Sequence, residues 1–489
     1  MTIAFPLLSV RQYAVLADFS TSQGLVRGFA AVYKRAITLS ETDMIIDRTK
    51  PLFAWDRLED SPTLKTIREF LAAVPDDRLL EGLRTCRGRG RNDYPVRVLW
   101  GVLLLQIALR HAHVEAMLAE LKRNPALREL IGIEDEDKVP NGYNVSRFLA
   151  VLGQEPHRSE LHRIFDVMIQ RLGVVVADLG RDAAGDATAL NARRQTRPSA
   201  NDLPAPSGGR KEYADDDGKV TKIVEWFGYK LHLLVDVKHE VALAYEITST
   251  KAGDGETLPT VLHEAQANLP ANRMKTLAYD KAADTNDVHE ALDKAKIKPL
   301  IQMRSLWKDH TEQMLPGHDG RSNVVYDEAG TLHCYDRTSA PIVRHRMAYI
   351  GHQPQRQTIK YRCPARHEGW TCPHDAVCNA GKSYGKTVRV DQTIDLRRFP
   401  PIPRATKKFE RMYKGRTAAE RVNARLKIFW GADDGNLVGA ERFYAMVGMV
   451  MLVHAAFATL LASAPRRDGT LGKVSLGPIQ KALRAKSVA

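Results

Sequence analysis

Apolar residues recur at three- and four-residue spacing between about residue 64 and residue 172. This spacing places them on one face of successive helices, so the pattern is typical of packed amphipathic helices. Turn-forming segments such as VPDD, RNPA and VPNGYN separate the helical stretches. The pattern predicts an all-helical domain at residues 63–172, whereas residues 1–62 show no pattern that assigns a structure to them.

The pattern changes after residue 178, where shorter strand-like apolar runs begin. Three such runs come first, and helices and strands then alternate as far as residue 300, which predicts the order β-β-β-α-β-α-β. Antiparallel strands followed by alternating helices and parallel strands form a mixed sheet covered by helices. We therefore predict the α/β fold class, with a ribonuclease H-like mixed sheet flanked by helices. The polar stretch RPSANDLPAPSGGRKEYADDDGK is predicted to be a loop.

An insertion separates this sheet from two further helices. Residues 301–400 are rich in turn residues and short β-like segments, and we predict that residues 401–465 complete the core that residues 178–300 begin. Residues 443–464 carry no formal charge and are numerous enough to cross a bilayer. A helix buried inside a large core has the same composition. We favour the buried helix, and a membrane-anchored protein is the alternative.

The net charge of the chain is +14, and residues 401–489 contain 16 Lys or Arg against 6 Asp or Glu. Excess positive charge favours a polyanionic partner, either nucleic acid or an acidic membrane surface. The basic tail at residues 466–489 fits either a phosphate-contacting surface or an ordinary solvated one. Five cysteines in 489 residues argue against a secreted disulfide-rich protein. The N-terminus has no basic segment before its first apolar run, so we predict no signal peptide and a cytoplasmic protein.

Three acidic residues are candidates for a metal site. Asp186 lies at the end of the first predicted strand and Asp280 at the end of the fourth, and groups at strand ends converge at one edge of an α/β sheet. Glu420, on a helix packed against that edge, would complete a set of oxygen ligands suited to Mg²⁺. Aspartates in caps and turns are the alternative explanation. Asp182, four residues before Asp186, is the rival for the first position.

A second group of polar residues lies on the helix predicted from Tyr413 to Phe429. At about 100° per residue, one arc of roughly 60° contains Tyr413, Arg416, Glu420 and Lys427. Apolar residues occupy the opposite side of the helix. A solvated helix face would carry the same stripe of charges, but the acidic candidates nearby favour a functional face.

Several motifs match a known family: Asp186 in GDATAL, Asp280 in AYDKAADT, and the ungapped spacing Tyr413-x2-Arg416-x3-Glu420-x6-Lys427. They resemble the bacterial insertion-sequence transposases of the DDE type. The block RNDYPVRVLWGVLLLQIALRHAHVEAMLAELKRNPALREL also resembles the helical N-terminal domain of these transposases, which implies that residues 63–172 bind DNA. The segment DKAAD departs from the family pattern, in which a Gly-Tyr pair follows the Lys.

The resemblance implies a DNA transposase that cleaves strands at the terminal inverted repeats of its element and transfers them into target DNA. It implies two Mg²⁺ ions, with Mn²⁺ as a substitute, held by the catalytic residues Asp186, Asp280 and Glu420. Contacts with DNA phosphates are implied for Tyr413, Arg416 and Lys427. A homodimer assembled on DNA at the bacterial nucleoid, with no membrane involved, is also implied. The alternative is a catalytically inactive DNA-binding protein of the same fold.

The insertion contains four of the five cysteines, namely Cys334, Cys363, Cys372 and Cys378. The gaps between them are 28, 8 and 5 residues, so the sequence lacks the Cys-x2-Cys pairs that are typical of zinc ribbons. A structural Zn²⁺ held by these four residues is one interpretation. Separate thiols in the fold are the other, and we favour them on the sequence.

Overall fold

The N-terminal part of the described chain is entirely helical. The computed structural model describes residues 62–89, 92–194, 203–214, 219–307, 311–316, 322–434, 437–463, 468–471 and 474. The unassigned N-terminal segment and most of the basic tail lie outside the described residues. Seven helices precede the first strand of this described part: α1 Pro62–Ala73, α2 Asp77–Arg87, α3 Val96–Ala108, α4 Val114–Arg123, α5 Pro125–Leu130, α6 Gly142–Leu152 and α7 His157–Val175.

Local sequence determines where several of these helices begin. Asn124 accepts a hydrogen bond from the backbone N–H of Leu127 at 3.1 Å, and it precedes a proline at the first position of α5. Asn141 accepts one from the N–H of Asn144 at 3.0 Å, at the start of α6. Side chains that satisfy free N–H groups stabilise helix starts. The predicted turns RNPA and VPNGYN therefore contain the beginnings of helices.

A mixed sheet follows the helices. Strand β3 pairs antiparallel with β1, β2 and β4, whereas β5 is parallel to both β1 and β6. The sheet order is β2-β3-β1-β5-β6, with β4 beside β3. The predicted α/β fold class is confirmed. The elements are β1 Asp182–Asn191, β2 Ser207–Ala214, β3 Val220–Asp236, β4 Ala242–Ser249, α8 Asp254–Ala267, β5 Thr276–Tyr279, α9 Asn286–Lys294 and β6 Lys298–Ile301.

Strand β2 corrects the prediction of a loop across this region. Its sequence, SGGRKEYA, pairs with the first half of β3, from Ser207 opposite Gly228 to Ala214 opposite Val220. This half of β3 is largely exposed. A strand that buries neither face needs no alternation of apolar and polar residues, so the hydrophobic pattern did not reveal β2.

The insertion contains two small sheets with a hydrophobic cluster of their own, separate from the main core. One sheet has the order β10-β9-β8-β7 and the other β11-β12-β13. The elements are β7 Gln313–Met314, β8 Val324–Tyr326, β9 Leu332–Asp336, β10 Val343–Arg346, β11 Ala348–Gln353, β12 Thr358–Arg362, α10 Pro364–Glu368, α11 Asp375–Cys378 and β13 Thr387–Asp391.

Buried charges join the insertion to the main sheet. Asp284, only 3% exposed, follows β5 and accepts hydrogen bonds from Arg397 Nε at 2.8 Å and Arg404 Nη2 at 3.3 Å. His289 Nε2 and the backbone N–H of Arg304 lie at 2.9 and 2.8 Å from the same carboxylate. A buried carboxylate requires such partners to offset the loss of solvation. This network anchors the segment that contains Asp280.

Three further α-helices follow the insertion in the described part of the chain: α12 Lys407–Tyr413, α13 Thr417–Ala424 and α14 Ala440–Ala462. Helix α14 is the one described helix long and apolar enough to cross a membrane, and 83% of its most apolar window is buried. It packs against the N-terminal helices, where Phe457 stacks on Phe70 with 4.8 Å between ring centroids. Burial lowers the pKa of His454 to about 3, and the neutral imidazole accepts a hydrogen bond from Ala242 N. This is the packing of a core helix.

Candidate active site

Asp186 lies in the middle of β1, the strand between antiparallel β3 and parallel β5, and not at a strand end as the sequence predicted. The preceding residue has to be glycine, because a Cβ at Gly185 would lie 2.3 Å from the ring of Tyr279. This close packing holds β1 tightly against the neighbouring strand. The carboxylate of Asp186 is therefore carried by a rigid central strand.

Asp280 lies level with Asp186 on the adjacent parallel strand. Asp182 pairs with Thr276, and Ala184 with Ala278, so continuing this register by two residues brings Asp186 beside Asp280. Asp280 immediately follows β5, and its Oδ1 accepts a hydrogen bond from Ala282 N at 2.8 Å. The turn that starts with Asp280 thus fixes the direction of its side chain.

Asp182, the rival of Asp186, is the first residue of β1. Its carboxylate accepts a hydrogen bond from Thr276 Oγ1 at 2.5 Å. It lines a different cavity, of about 410 Å³, together with Lys275 and Lys298. Four residues of strand separate the two aspartates by about 13 Å. The structure therefore places Asp186, and not Asp182, near Asp280.

The helix predicted from Tyr413 to Phe429 is divided into segments, which corrects the prediction of a single α-helix. Helix α12 ends at Tyr413, a 3₁₀ turn follows, α13 comes next, and a π-helix spans Arg425–Phe429. A Cβ at Gly415, within the 3₁₀ turn, would lie 2.9 Å from Val237 Cγ1. The missing side chain lets the helical chain approach the sheet closely. Close contact with the sheet, rather than helical periodicity alone, positions the polar residues.

Helix α13 brings Glu420 and Asn423 to the aspartates. Asn423 Nδ2 donates a hydrogen bond to Asp186 Oδ2 at 3.0 Å. One turn earlier, Arg416 Nη2 donates to Glu420 Oε1 at 2.6 Å. Tyr413 stacks on Phe409. Burial raises the pKa of the Tyr413 hydroxyl, whereas the charge of Arg416 lowers it.

Lys427 faces the same cleft from the π-helix. Its Nζ donates to the carbonyl of Ala189 on β1 at 2.7 Å and forms an ion pair with Asp433 Oδ2 at 2.9 Å. The other oxygen of Asp433 accepts a hydrogen bond from Asn191 N. The cleft has a volume of about 720 Å³ and is lined by Asp186, Thr188, Glu420, Asn423, Ala424, Lys427, Ile428, Asp433 and Asp434.

The electrostatics of Asp186 show that the three predicted acids are neighbours. Burial is the largest cause that raises the pKa of Asp186 from 3.8 to about 6. The carboxylates of Asp280 and Glu420 raise that pKa further, because like charges disfavour ionisation. Two cations, Lys211 and Arg416, lower it. Acids from β1, β5 and α13 thus share one electrostatic environment.

Comparison with known protein families identifies the family to which this arrangement of residues belongs. The family described as "Transposase DDE domain" matches residues 181–455, which include the whole cleft. This chain belongs to that transposase family. A second match, to "Transposase domain (DUF772)", covers residues 56–150 and therefore most of the N-terminal helices. The predicted resemblance to DDE transposases is confirmed, and the protein is a DNA transposase.

Comparisons with individual proteins are weaker. No curated protein matches the transposase. A piggyBac transposase synaptic complex with hairpin DNA is similar at 11% identity, with a TM-score of 0.34, over 89% of this chain and 84% of that one. A Mos1 transposase paired-end complex and a pre-cleavage Mos1 transpososome each show 14% identity, a TM-score of 0.15, and coverage of 43% of this chain and 60% of theirs. Similarity at this level adds nothing to the family assignment.

The sequence does not single out three polar residues that lie in the cleft or act on Asp186. Asn423 lies three residues after Glu420, so helical spacing could have placed it on the same face. Lys211, which acts electrostatically on Asp186, belongs to β2, which was predicted to be a loop. Asp433 follows the helical segment, and nothing in its sequence context indicates that it pairs with Lys427.

The acids fit a divalent ion by their chemistry. Carboxylate and amide oxygens are the ligands that Mg²⁺ prefers, and the carboxylates of Asp280 and Glu420 lie close enough to Asp186 to add to the rise in its pKa that burial causes. In addition, the buried Oδ1 of Asn423 has no hydrogen-bond partner among the described atoms. Across the described ranges, no three His, Cys, Asp or Glu side chains already surround a point as metal ligands do.

The four cysteines of the insertion lie close together. Burial raises the pKa of Cys334 to about 12, and the thiols of Cys363, Cys378 and Cys372 raise it as well. These thiols therefore interact with one another, although long gaps separate them in sequence. None of the described cysteines forms a disulfide.

Proposed function

We propose that this transposase cleaves DNA strands at the ends of its element in a Mg²⁺-dependent reaction and transfers the freed 3′ ends into target DNA. The main support for this proposal is the register of β1 against β5, which, continued by two residues, brings Asp186 level with Asp280. Glu420 completes the set from α13, and the carboxylates of Asp280 and Glu420 both raise the pKa of Asp186. Three carboxylates from separate elements in a cleft beside basic residues suit phosphodiester chemistry.

Asp186, Asp280 and Glu420 are the proposed ligands of two Mg²⁺ ions, for which Mn²⁺ can substitute. When bound, these ions supply Lewis-acid stabilisation of the attacking and leaving oxygens. Asn423 holds the Asp186 carboxylate in position through its amide N–H. Its Oδ1 is buried and has no hydrogen-bond partner among the described atoms, so it is a further acceptor beside Asp186.

Tyr413, Arg416 and Lys427 are proposed to contact phosphates near the cleaved bond. Arg416 and Lys427 currently pair with Glu420 and Asp433. A DNA phosphate would take the place of these carboxylates as the partner of each cation. Arginine suits a bidentate phosphate contact and lysine provides a point charge.

The proposed partners are the terminal inverted repeats of the element and the target DNA. A homodimer assembled on paired ends would hold the two cleavage sites together. We place this reaction at the bacterial nucleoid in the cytoplasm.

The proposal is tested with labelled duplexes that contain the DNA flanking the coding sequence. Strand cleavage should require Mg²⁺ or Mn²⁺ and should stop in EDTA. Asp186→Asn, Asp280→Asn and Glu420→Gln should each reduce cleavage by several orders of magnitude, because the three acids act as one unit. Asp182→Asn is the matched control, since it removes a charge from the first residue of the same strand, about 13 Å from Asp186, and should leave cleavage nearly intact.

Two results would contradict the proposal. Specific binding of the element ends without metal-dependent cleavage would identify an inactive DNA-binding protein of the same fold. Loss of cleavage in Asp182→Asn, with full cleavage in Asp186→Asn, would show that the first acid is Asp182.

A further inference from the structure

The fold of the insertion brings its four cysteines together from three separate segments. Cys334 lies on β9, Cys363 precedes α10, and Cys378 ends α11. Cys372 lies in the loop before α11, where its carbonyl accepts a hydrogen bond from Asp375 N at 3.0 Å. Only folding of the two small sheets makes these positions neighbours, because 28 residues separate Cys334 from Cys363.

One asparagine links α11 to β9. Asn323 Nδ2 donates to Cys378 Sγ at 3.4 Å and to the carbonyl of Tyr335 at 2.8 Å. Tyr335 follows Cys334, which pairs with Val324 across the sheet. Asn323 therefore links the thiol of Cys378 to the backbone of β9 beside Cys334.

A second asparagine links α11 to the start of α10. Asn379 Nδ2 donates to Cys363 Sγ at 3.5 Å, and its Oδ1 accepts from Lys386 N at 2.5 Å. The carbonyl of Lys386 accepts from Cys363 N at 2.8 Å. Two amide N–H groups thus point at sulfur atoms, an arrangement that stabilises thiolates because charged acceptors strengthen hydrogen bonds.

We propose that Cys334, Cys363, Cys372 and Cys378 bind one structural Zn²⁺ ion. Four thiolates form a closed tetrahedral site of the kind that stabilises small folds. The insertion has short strands and a hydrophobic cluster of few residues, so a metal would add substantially to its stability. Lys386 Nζ, which donates to Asn323 Oδ1 at 2.9 Å, provides positive charge beside the anionic site.

Zinc binding requires the thiols to turn toward a common point, because no three of the described side chains yet have that arrangement. Asn323 and Asn379 would then donate hydrogen bonds to the zinc-bound sulfur atoms of Cys378 and Cys363 and orient them. A tetrathiolate site is also independent of the acids in the cleft. Its presence or absence therefore does not bear on the proposed cleavage reaction.

The test is metal analysis of the full-length protein purified without chelator. We expect about one equivalent of zinc per chain, and retention of zinc in Cys86→Ser, which removes the exposed cysteine of α2. Cys372→Ser and Cys378→Ser should each lose the zinc, and circular dichroism should show whether the variants fold. Cobalt substitution of the unmodified protein avoids dependence on variant folding, and it should produce the absorption of tetrahedral cobalt bound to thiolates.

Three outcomes would overturn the proposal. The first is zinc far below one equivalent together with no cobalt–thiolate absorption. The second is alkylation that reveals a disulfide among the four cysteines in freshly purified protein. The third is full zinc content in a folded double variant that carries both Cys372→Ser and Cys378→Ser.

Discussion

Neutralising Asp186 should stabilise the folded protein while it abolishes cleavage. Burial and two neighbouring carboxylates raise the pKa of Asp186 from 3.8 to about 6. The folded state then binds a proton more tightly than the unfolded state does. The contribution of the Asp186 carboxyl to the free energy of unfolding is therefore fully present below pH 3.8 and is lost as the pH rises through about 6. The difference corresponds to about 3 kcal/mol at pH 7, at roughly 1.4 kcal/mol per pKa unit.

Asp186→Asn removes this cost, because the amide is neutral at every pH and its oxygen still accepts the hydrogen bond from Asn423. The free energy of unfolding, measured with urea at pH 7.5 without divalent ions, should be about 3 kcal/mol higher than that of the unmodified protein. The gain should fall to about half near pH 5. Added Mg²⁺ should stabilise the unmodified protein and have much less effect on the variant.

The pH dependence is the decisive part of this experiment. A gain in stability that is the same at pH 7.5 and pH 5 would show that it does not come from the ionisation of Asp186. A variant less stable than the unmodified protein at pH 7.5 would refute the argument that the three acids repel one another in the absence of metal.

Other substitutions test the neighbouring contacts. Arg416→Ala or Lys427→Ala should weaken binding to cleaved ends and reduce the salt dependence by about one counterion each, as measured by binding titrations at several salt concentrations; an unchanged salt slope would exclude the phosphate contact. Asp284→Ala should destabilise the fold by about 3–5 kcal/mol in urea unfolding, because it leaves Arg397 and Arg404 buried without their shared carboxylate. A change below about 1 kcal/mol would show that solvent already compensates these arginines.

Parts of the fold and of the candidate active site were predictable because they depend on local features of the sequence. The helical periodicity of residues 64–172 and the strand-like runs after residue 178 predicted the elements, and the order of those elements restricted the sheet to few topologies. The spacing from Tyr413 to Lys427 indicated a common face. Asp186 and Asp280 were candidates because the sequence predicts each at a strand end, where side chains converge at one edge of an α/β sheet. Asp280 does follow β5, whereas Asp186 lies within β1.

Other features depend on contacts between distant parts of the chain. The helix between Lys407 and Phe429 is divided into segments, and Gly415 packs closely on Val237 at the first division. The periodicity of apolar residues does not reveal this contact. The proximity of Asn423 to Asp186 likewise depends on how α13 lies on β1. The sequence did not predict strand β2 because β2 pairs with the exposed half of β3. Strands exposed on both faces do not need alternating apolar and polar residues.

The amino-acid sequence by itself determined the α/β class, the helical N-terminal region, the candidate acids and the position of the insertion, since each rests on local periodicity or on residue spacing. Only the tertiary structure decided between Asp182 and Asp186, because strand register against β5 sets which carboxylate lies level with Asp280. It also brought together four cysteines that sequence spacing had suggested were separate. Strand register and loop closure bring together residues that are far apart in the chain. The free energy of such contacts depends on the packing of the whole fold, and not on the local sequence.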